Sequence, residues 1–210
     1  LGFEPKDNSK ISGWANLREL AENLNIPYKG YLKINSKDNL TWAAKFKPDK
    51  IFAVGFSQLL SEEWLNLPRL GCIGFHPTKL PRGRGRAPIA WLILDGENGA
   101  STFFLMGKGM DDGPIFIQED FKVLKTDNAK SIEDKILNSI TTGLSKWLPQ
   151  LEEGHWNPVP QSEAQATYYG KRSEEDGLID WNYSNLKIDA IIRASSPPHP
   201  GAFTFFKNRK

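Results

Sequence analysis

Four short apolar runs, KIFAVGF (50–56), GCIGFH (71–76), STFFLMG (101–107) and GPIFIQEDFKV (113–123), alternate with segments whose apolar residues recur at helical spacing. That alternation constrains the fold more than any other feature. Runs this short and this apolar read as strands buried on both faces, the pattern of a parallel sheet covered by helices. The intervening segments supply those helices. Residues 16–25 place Leu17, Leu20, Ala21 and Leu24 at i, i+3, i+4 and i+7, which predicts an amphipathic helix facing a core. NLTWAAKFKPDK (39–50) reads as helix up to the residue before Pro48, with IPY (26–28) as a short strand ahead of it. SEEWLNL (61–67) opens on Ser61 as an N-cap, and APIAWLILDG (87–96) closes on Gly96. A long helix over 131–151 opens on a Ser131/Asp134 pair resembling a capping box. Helix and strand in turn imply an α/β layered domain with a mostly parallel sheet, here ending near residue 153.

The remainder has a different texture. GHWNPVPQSEAQ (154–165) is polar and proline-containing, so residues 154–164 read as a linker between a domain over 1–153 and a partial second domain over 165–210. In the latter, ATYYG and GAFTFF read as strands and SNLKIDAIIRASS as a helix. No strand is evident before the first helix, and the last strand has no partner after it, so a fragment at both ends is expected.

Composition narrows the function classes. The chain has 210 residues, 39% hydrophobic and 25% charged, with a net charge of +2 from nearly balanced totals. Such a chain supports a real core, and it lacks the global basic field that drives non-specific nucleic-acid binding. The single cysteine, Cys72, excludes an internal disulfide framework and a Cys-rich metal site. No apolar run approaches the roughly 20 residues that span a bilayer, and LGFEPKDNSK lacks a signal-peptide core. A cytoplasmic location without membrane attachment is the expectation.

Three features carry candidate chemistry. His76, one of three histidines, stands at the carboxyl end of an apolar run, where open α/β sheets place ligands. The alternative is a ring satisfied by a backbone carbonyl at a strand end. His155 in the linker and His199 between prolines read as surface or turn residues. GKGMDDGPI (107–115) sets Asp111 and Asp112 among glycines that permit close approach to a ligand, or else forms a solvated turn. With His76, one of these aspartates suggests an Asp/His pair in which the carboxylate orients the ring and stabilises its protonated form. PRGRGRAP (81–88) offers Arg82, Arg84 and Arg86 to an anion just before a helix, or is a flexible basic loop.

GFHPTKLPRGRGRAPIAWLILDG followed by STFFLMGKGMDDGPIFIQ resembles the formyltransferase family that uses 10-formyltetrahydrofolate, with its H-P-S-L-L-P, R-G turn, P-x-x-W-x-I-x-x-G and D-x-G-P/D-I pattern. The likeness covers Phe52 to about Gln118 closely, and ATYYGKRSEEDGLIDW and IIRASSPPHPGAFTFF look like the start of that family's smaller C-terminal domain. The resemblance implies a Rossmann-like formyltransferase domain and an enzyme that moves a formyl group from 10-formyltetrahydrofolate to an amine. It puts the catalytic histidine on His76 and the catalytic aspartate on Asp111. It implies folate contacts at Phe56, Ser57, Gln58 and Leu59, with Asp112 and Gly113 on the other side, and Arg84 at a substrate anion. Core packing is the competing reading for Phe56 and Leu59.

One position departs from the family pattern. The family has an asparagine two residues before the histidine, where this chain has Gly74. Loss of one oxyanion donor typically costs ~2.7–4 kcal/mol of barrier. A backbone N–H, a water, protonated His76 or another loop residue then has to supply the donor. Failing that, the chain is a non-catalytic or hydrolytic folate-binding relative. As acceptor, a nucleotide-linked amino sugar fits the near-balanced charge and the SEEDGLIDW and PGAFTFF segments. Methionyl-tRNA stands second, and the oligomeric state is open between monomer and homodimer.

Overall fold

A computed structural model describes residues 1–8 and 14–207, and the chain divides into two units, Leu1–Cys72 and Ile73–Lys210. In the first unit, short elements begin at polar caps. Strand β1 (Gly2–Phe3) precedes helix α1 (Leu17–Asn23), whose Asn16 cap accepts from the Glu19 N–H. Strand β2 (Gly30–Tyr31) pairs with β1 in parallel, Phe3 opposite Tyr31. Helix α2 (Lys37–Ala44) opens on Ser36, which accepts from the Asn39 N–H, and strand β3 (Lys50–Ala53) and helix α3 (Glu62–Leu65) follow. Ile34, Ala43 and Trp64 form the centre of this unit, with Ile51 and Phe56 packed against them. The Trp64 indole donates to the Ile34 carbonyl at 3.1 Å, so the largest ring in that core keeps its polar edge satisfied. Burial pushes the Cys72 thiol up to about 11, which keeps it protonated and inert near neutral pH.

Three expectations are corrected in this unit. A strand does stand before the first helix, in only two residues, too short to register as a periodic run. In α1 the residue that packs is Ala21; Leu17, Leu20 and Leu24 remain exposed. Helical period identifies an apolar face, and whether another element lies over that face is a separate matter. The KIFAVGF run is not buried on both faces. Phe52 and Val54 are exposed, while Ile51 turns into the core.

Strand β4 (Gly71–His76) carries the chain into the second unit. There follow strand β5 (Arg84–Gly85), helix α4 (Pro88–Asp95), strand β6 (Gly99–Leu105), strand β7 (Ile115–Phe121), helix α5 (Ala129–Glu152), strand β8 (Tyr168–Tyr169) and helix α6 (Asn185–Ala194). β4 pairs antiparallel with β6, with Gly74 opposite Phe104 and His76 opposite Thr102, and β6 pairs antiparallel with β7. The direction of the second pair follows from chain length. The stretch from Leu105 to Ile115 is shorter than the dozen or so residues a parallel crossover requires. β5 and β8 pair in parallel, Arg84 opposite Tyr168.

Helix α5 closes the unit. Its buried residues Ile132, Ile136, Ser139, Gly143, Trp147 and Leu151 recur at three- and four-residue steps, and the stripe bridges two clusters. One gathers Ile132, Ile136, Leu92, Ile93, Phe121 and Ala194, the other Trp147, Leu151, Ile73 and Phe103. Each large side chain buried there contributes roughly 1.5–3 kcal/mol relative to exposure.

The expected Ser131/Asp134 box is not the one that forms. Asn128 is the N-cap, accepting from the Ser131 N–H, while the Ser131 hydroxyl accepts from the Asn128 N–H; Asp134 instead pairs with Lys130. Ala129 and Lys130 lengthen the helix ahead of the serine because asparagine caps as well as serine does. We expect Asn128→Ala to lower unfolding stability by about 1 kcal/mol and Asp134→Ala to change it by less than half of that. Urea midpoints of the two variants check the assignment.

Candidate active site

His76 ends β4 at a point where its ring is buried, 6% exposed. Nε2 lies 2.8 Å from the Gly83 carbonyl oxygen, and since a carbonyl only accepts, Nε2 carries the hydrogen. Nδ1 of the neutral ring is then the basic nitrogen. It faces Asp111 Oδ2 at 3.6 Å, longer than a hydrogen bond, so the two groups confront one another across a gap.

Asp111 lies between β6 and β7 with φ of 52°, a left-handed conformation that aspartate tolerates better than most residues. Its Oδ2 accepts from the Gly85 N–H at 2.9 Å, and its carbonyl accepts from Gln161 Nε2 at 2.8 Å. Both ends of the residue are therefore tied. Asp112 points elsewhere and is exposed, so the adjacent pair does divide its directions. Gly113 is dictated by close approach: a Cβ there would stand 1.7 Å from the Leu105 carbonyl oxygen.

The loop from His76 to Arg84 is pinned by hydroxyls. Thr78 donates to the Arg82 carbonyl at 2.8 Å, and Thr102 donates to the Thr78 carbonyl at 2.6 Å. Gln118 donates to the Leu80 carbonyl at 2.8 Å. None of these three stood out in the sequence; Thr102 and Gln118 serve partners distant along the chain, while Thr78 ties its own loop.

Arg84 is corrected. Its guanidinium is wholly buried and all five of its N–H donors are used. Nε and Nη2 donate to Gln161 Oε1 at 3.1 and 3.0 Å, Nη1 and Nη2 meet the Glu163 carboxylate at 3.0 and 2.7 Å, and Nη1 donates to Tyr168 Oη at 3.0 Å. No donor remains for a substrate anion. Arg82 pairs with Glu97, whereas exposed Arg86 makes no side-chain hydrogen bond or ion pair among the described residues.

The Phe56–Leu59 stretch belongs to the first unit. Phe56 packs on the Ile34/Ala43/Trp64 core, Ser57 is exposed, and Leu59 is 78% exposed. Gln58 braces that loop: its amide oxygen accepts from the Ile34 N–H at 3.0 Å and its amide N–H donates to the Leu32 carbonyl at 2.9 Å. His155 is exposed, and His199 contacts the Ala194 carbonyl.

The geometry is that of a buried basic nitrogen facing a fixed carboxylate, and the chain that carries it is similar to known proteins. Residues 30–148, more than half of the chain, match the formyl transferase model, and residues 171–210 match the formyl transferase C-terminal domain. The chain belongs to the formyl transferase family. The bifunctional polymyxin resistance protein ArnA of Wigglesworthia glossinidia brevipalpis is 36% identical over 177 residues, 82% of this chain and 27% of that protein. The chain thus spans about a quarter of the length of that curated relative. Two solved structures share the fold. A sugar N-formyltransferase from Shewanella sp FDAARGOS_354 has a TM-score of 0.76 at 18% identity, covering 92% of this chain and 77% of that one. HypX from Aquifex aeolicus in complex with tetrahydrofolic acid has a TM-score of 0.70 at 22% identity, covering 89% of this chain and 32% of that one. These matches agree with the α/β formyltransferase fold and the beginning of a C-terminal domain.

Gly74, at the family's asparagine position, is filled by its neighbours. A Cβ there would lie 2.8 Å from Phe104 Cζ and 2.9 Å from Met106 Cγ. We expect Gly74→Asn alone to destabilise the fold by about 1–3 kcal/mol through overpacking, and combining it with Phe104→Ala to relieve the clash while opening a cavity. Thermal unfolding of the single and double variants distinguishes a filled position from an empty one.

Arg84 holds the Glu163 carboxyl below the ordinary glutamate value of 4.5. The pair's stabilisation is therefore complete above that range and is lost as the pH falls through the lower folded value. Because Glu163 is exposed, the effect is modest. Melting temperature against pH for Glu163→Gln is expected to show a flatter acid limb below about pH 4.5 than the wild type.

Proposed function

We propose that the chain transfers a formyl group from 10-formyltetrahydrofolate to a primary amine, and that the acceptor is a nucleotide-linked amino sugar. The observation that carries this reading is the buried His76 ring with Nδ1 facing Asp111 at 3.6 Å. Family membership supports formyl transfer, the tetrahydrofolate complex of HypX supports a folate donor, and the Shewanella sugar N-formyltransferase supports a sugar amine. The near-balanced net charge of +2 supports a small nucleotide substrate over a tRNA, whose binders present a basic surface.

The folate supplies the formyl carbon and the N10 leaving group. The acceptor amine forms the new C–N bond, and the proton it sheds is taken by His76 Nδ1. The imidazolium so formed faces Asp111, which balances its charge, while Nε2–H on Gly83 fixes the ring plane. Cleavage of the bond from carbon to N10 returns the proton from Nδ1 to N10. Since Gly74 has no side chain, what the ring offers the developing oxyanion is the positive charge of the imidazolium, its two N–H groups being engaged by Gly83 and by N10.

The other site assignments are adjusted by geometry. Gly55, Ser57 and Leu59 present an exposed surface suited to a folate ring, with Phe56 stiffening it from the core side. Asp112 and Gly113, in the second unit, flank Asp111. Arg86, rather than Arg84, is the arginine with donors available for a carboxylate or phosphate.

Consumption of 10-formyltetrahydrofolate in the presence of UDP- or dTDP-linked 4-amino sugars tests the reading. Turnover that requires the amino sugar and falls at least 10³-fold in His76→Asn, with folding retained, is expected. Formylation of methionyl-tRNA instead, or acceptor-independent release of formate, replaces it.

A further inference from the structure

Residues 149–170 lie between the two family matches and include the 154–164 segment read as a linker, yet they bond to the groups that hold His76 and Asp111. Val159 exchanges two backbone hydrogen bonds with Ile115, at 2.7 and 2.8 Å, which fixes the strap against the start of β7. Two residues on, Gln161 Nε2 donates both to the Asp111 carbonyl, at 2.8 Å, and to the Gly113 carbonyl, at 2.7 Å. Its Oε1 accepts from Arg84 twice, and Glu163 and Tyr168 complete that guanidinium. Further along, the Thr167 hydroxyl accepts from the Gly83 N–H at 2.8 Å and its carbonyl from the Arg84 N–H at 2.9 Å. The Tyr169 carbonyl accepts from the Arg86 N–H at 3.1 Å.

These bonds converge on both partners of the pair. Gly83 presents the carbonyl that holds His76 Nε2, and Gly85, which presents the N–H that holds Asp111 Oδ2, lies in the strand paired with β8. We infer that the strap 159–169, through Gln161 and the Arg84 it orients, is the positioning element that sets the distance between His76 and Asp111. The inference rests on the reading of that pair as the reacting groups. Gln161 reaches Asp111 through the main chain only, so it is a positioning residue.

The substitution Gln161→Glu separates position from packing. A carboxylate keeps acceptors for Arg84 but has no N–H for the Asp111 and Gly113 carbonyls. Gln161→Met is the neutral companion, which removes the same donors without adding charge. In the full chain labelled with 15N-histidine, only three rings contribute signals. In both variants the His76 ring resonances are expected to shift or broaden while those of His155 and His199 stay in place. With formyl donor and amino sugar, kcat is expected to fall at least tenfold with KM for the donor within twofold.

Unmoved His76 resonances in both variants, or an unchanged kcat where His76→Asn abolishes turnover, overturns the positioning role and leaves the proposed reaction intact. Shifted resonances together with undiminished turnover in His76→Asn sustain the strap's role and remove the reaction. A uniform shift of all three rings, with a lowered melting temperature in both variants, means that Gln161 merely stabilises the fold and also overturns the inference.

Discussion

The buried guanidinium of Arg84 is the interaction on which the second unit's functional end depends. Moving a charge out of water costs several kcal/mol unless every donor is met, and Arg84 sits two positions before Ser-free, carboxylate-free sequence that could not meet it locally. All of its side-chain partners come from residues 161–168. The arrangement is also economical in desolvation. Glu163 remains largely in water while the arginine is dry, so only one member of the pair bears the full penalty of burial. Once the strap is drawn in to satisfy Arg84, its main chain pairs with β5, and the glycines on either side of Arg84 acquire fixed directions for the carbonyl that meets His76 and the N–H that meets Asp111.

The same logic explains why the pair sits at strand ends. β4 delivers His76 after an apolar run whose Ile73 is anchored in the core with Phe103 and Trp147. The β6–β7 connection delivers Asp111: β6 ends at Leu105 opposite Ile73, so the connection turns back along β4 towards His76, where the Gly85 N–H and Gln161 hold it. Rigid strands fix the approach, and the loops carry the polar atoms. Every buried side-chain nitrogen or oxygen among the described residues has a hydrogen-bond partner, so the network of the Thr78 and Thr102 hydroxyls and the Gln118 amide holds the His76 loop with no unpaired polar cost.

Much of this was legible in the sequence wherever the controlling contacts are local. Apolar runs marked β4, β6 and β7, helical spacing marked α4, α5 and α6, and the H-P and D-x-G patterns pointed to His76 and Asp111 before any geometry. What escaped was non-local. PQSEAQ has a linker's composition, and nothing within it signals that Gln161 bonds residues about fifty positions earlier. Arg84 looked available for the same reason, since a guanidinium and its distant acceptors leave no short-range pattern. The α5 cap was misplaced by a few residues because Asn128 and Ser131 are both good caps, and only the backbone bonds decide between them. The exposed leucines of α1 illustrate a further limit: periodicity orients a face and does not provide its cover.

Gly74 joins these threads. The β4–β6 register sets it opposite Phe104, so the absence of a side chain at 74 and the presence of a ring over it are a single packing arrangement. An oxyanion donor cannot be restored at that position without moving an aromatic side chain from a residue whose neighbour, Phe103, lies in the core. Charge that develops near His76 therefore has to be met by groups already fixed around it. In the proposed reaction the ring is the one of these that changes charge, and its distance to Asp111 decides how well that charge is balanced. Under the proposed reaction, a chain with glycine at 74 rests more of the chemistry on the geometry of one His/Asp pair, which makes the strap behind the pair matter more than it would if a second donor shared the work.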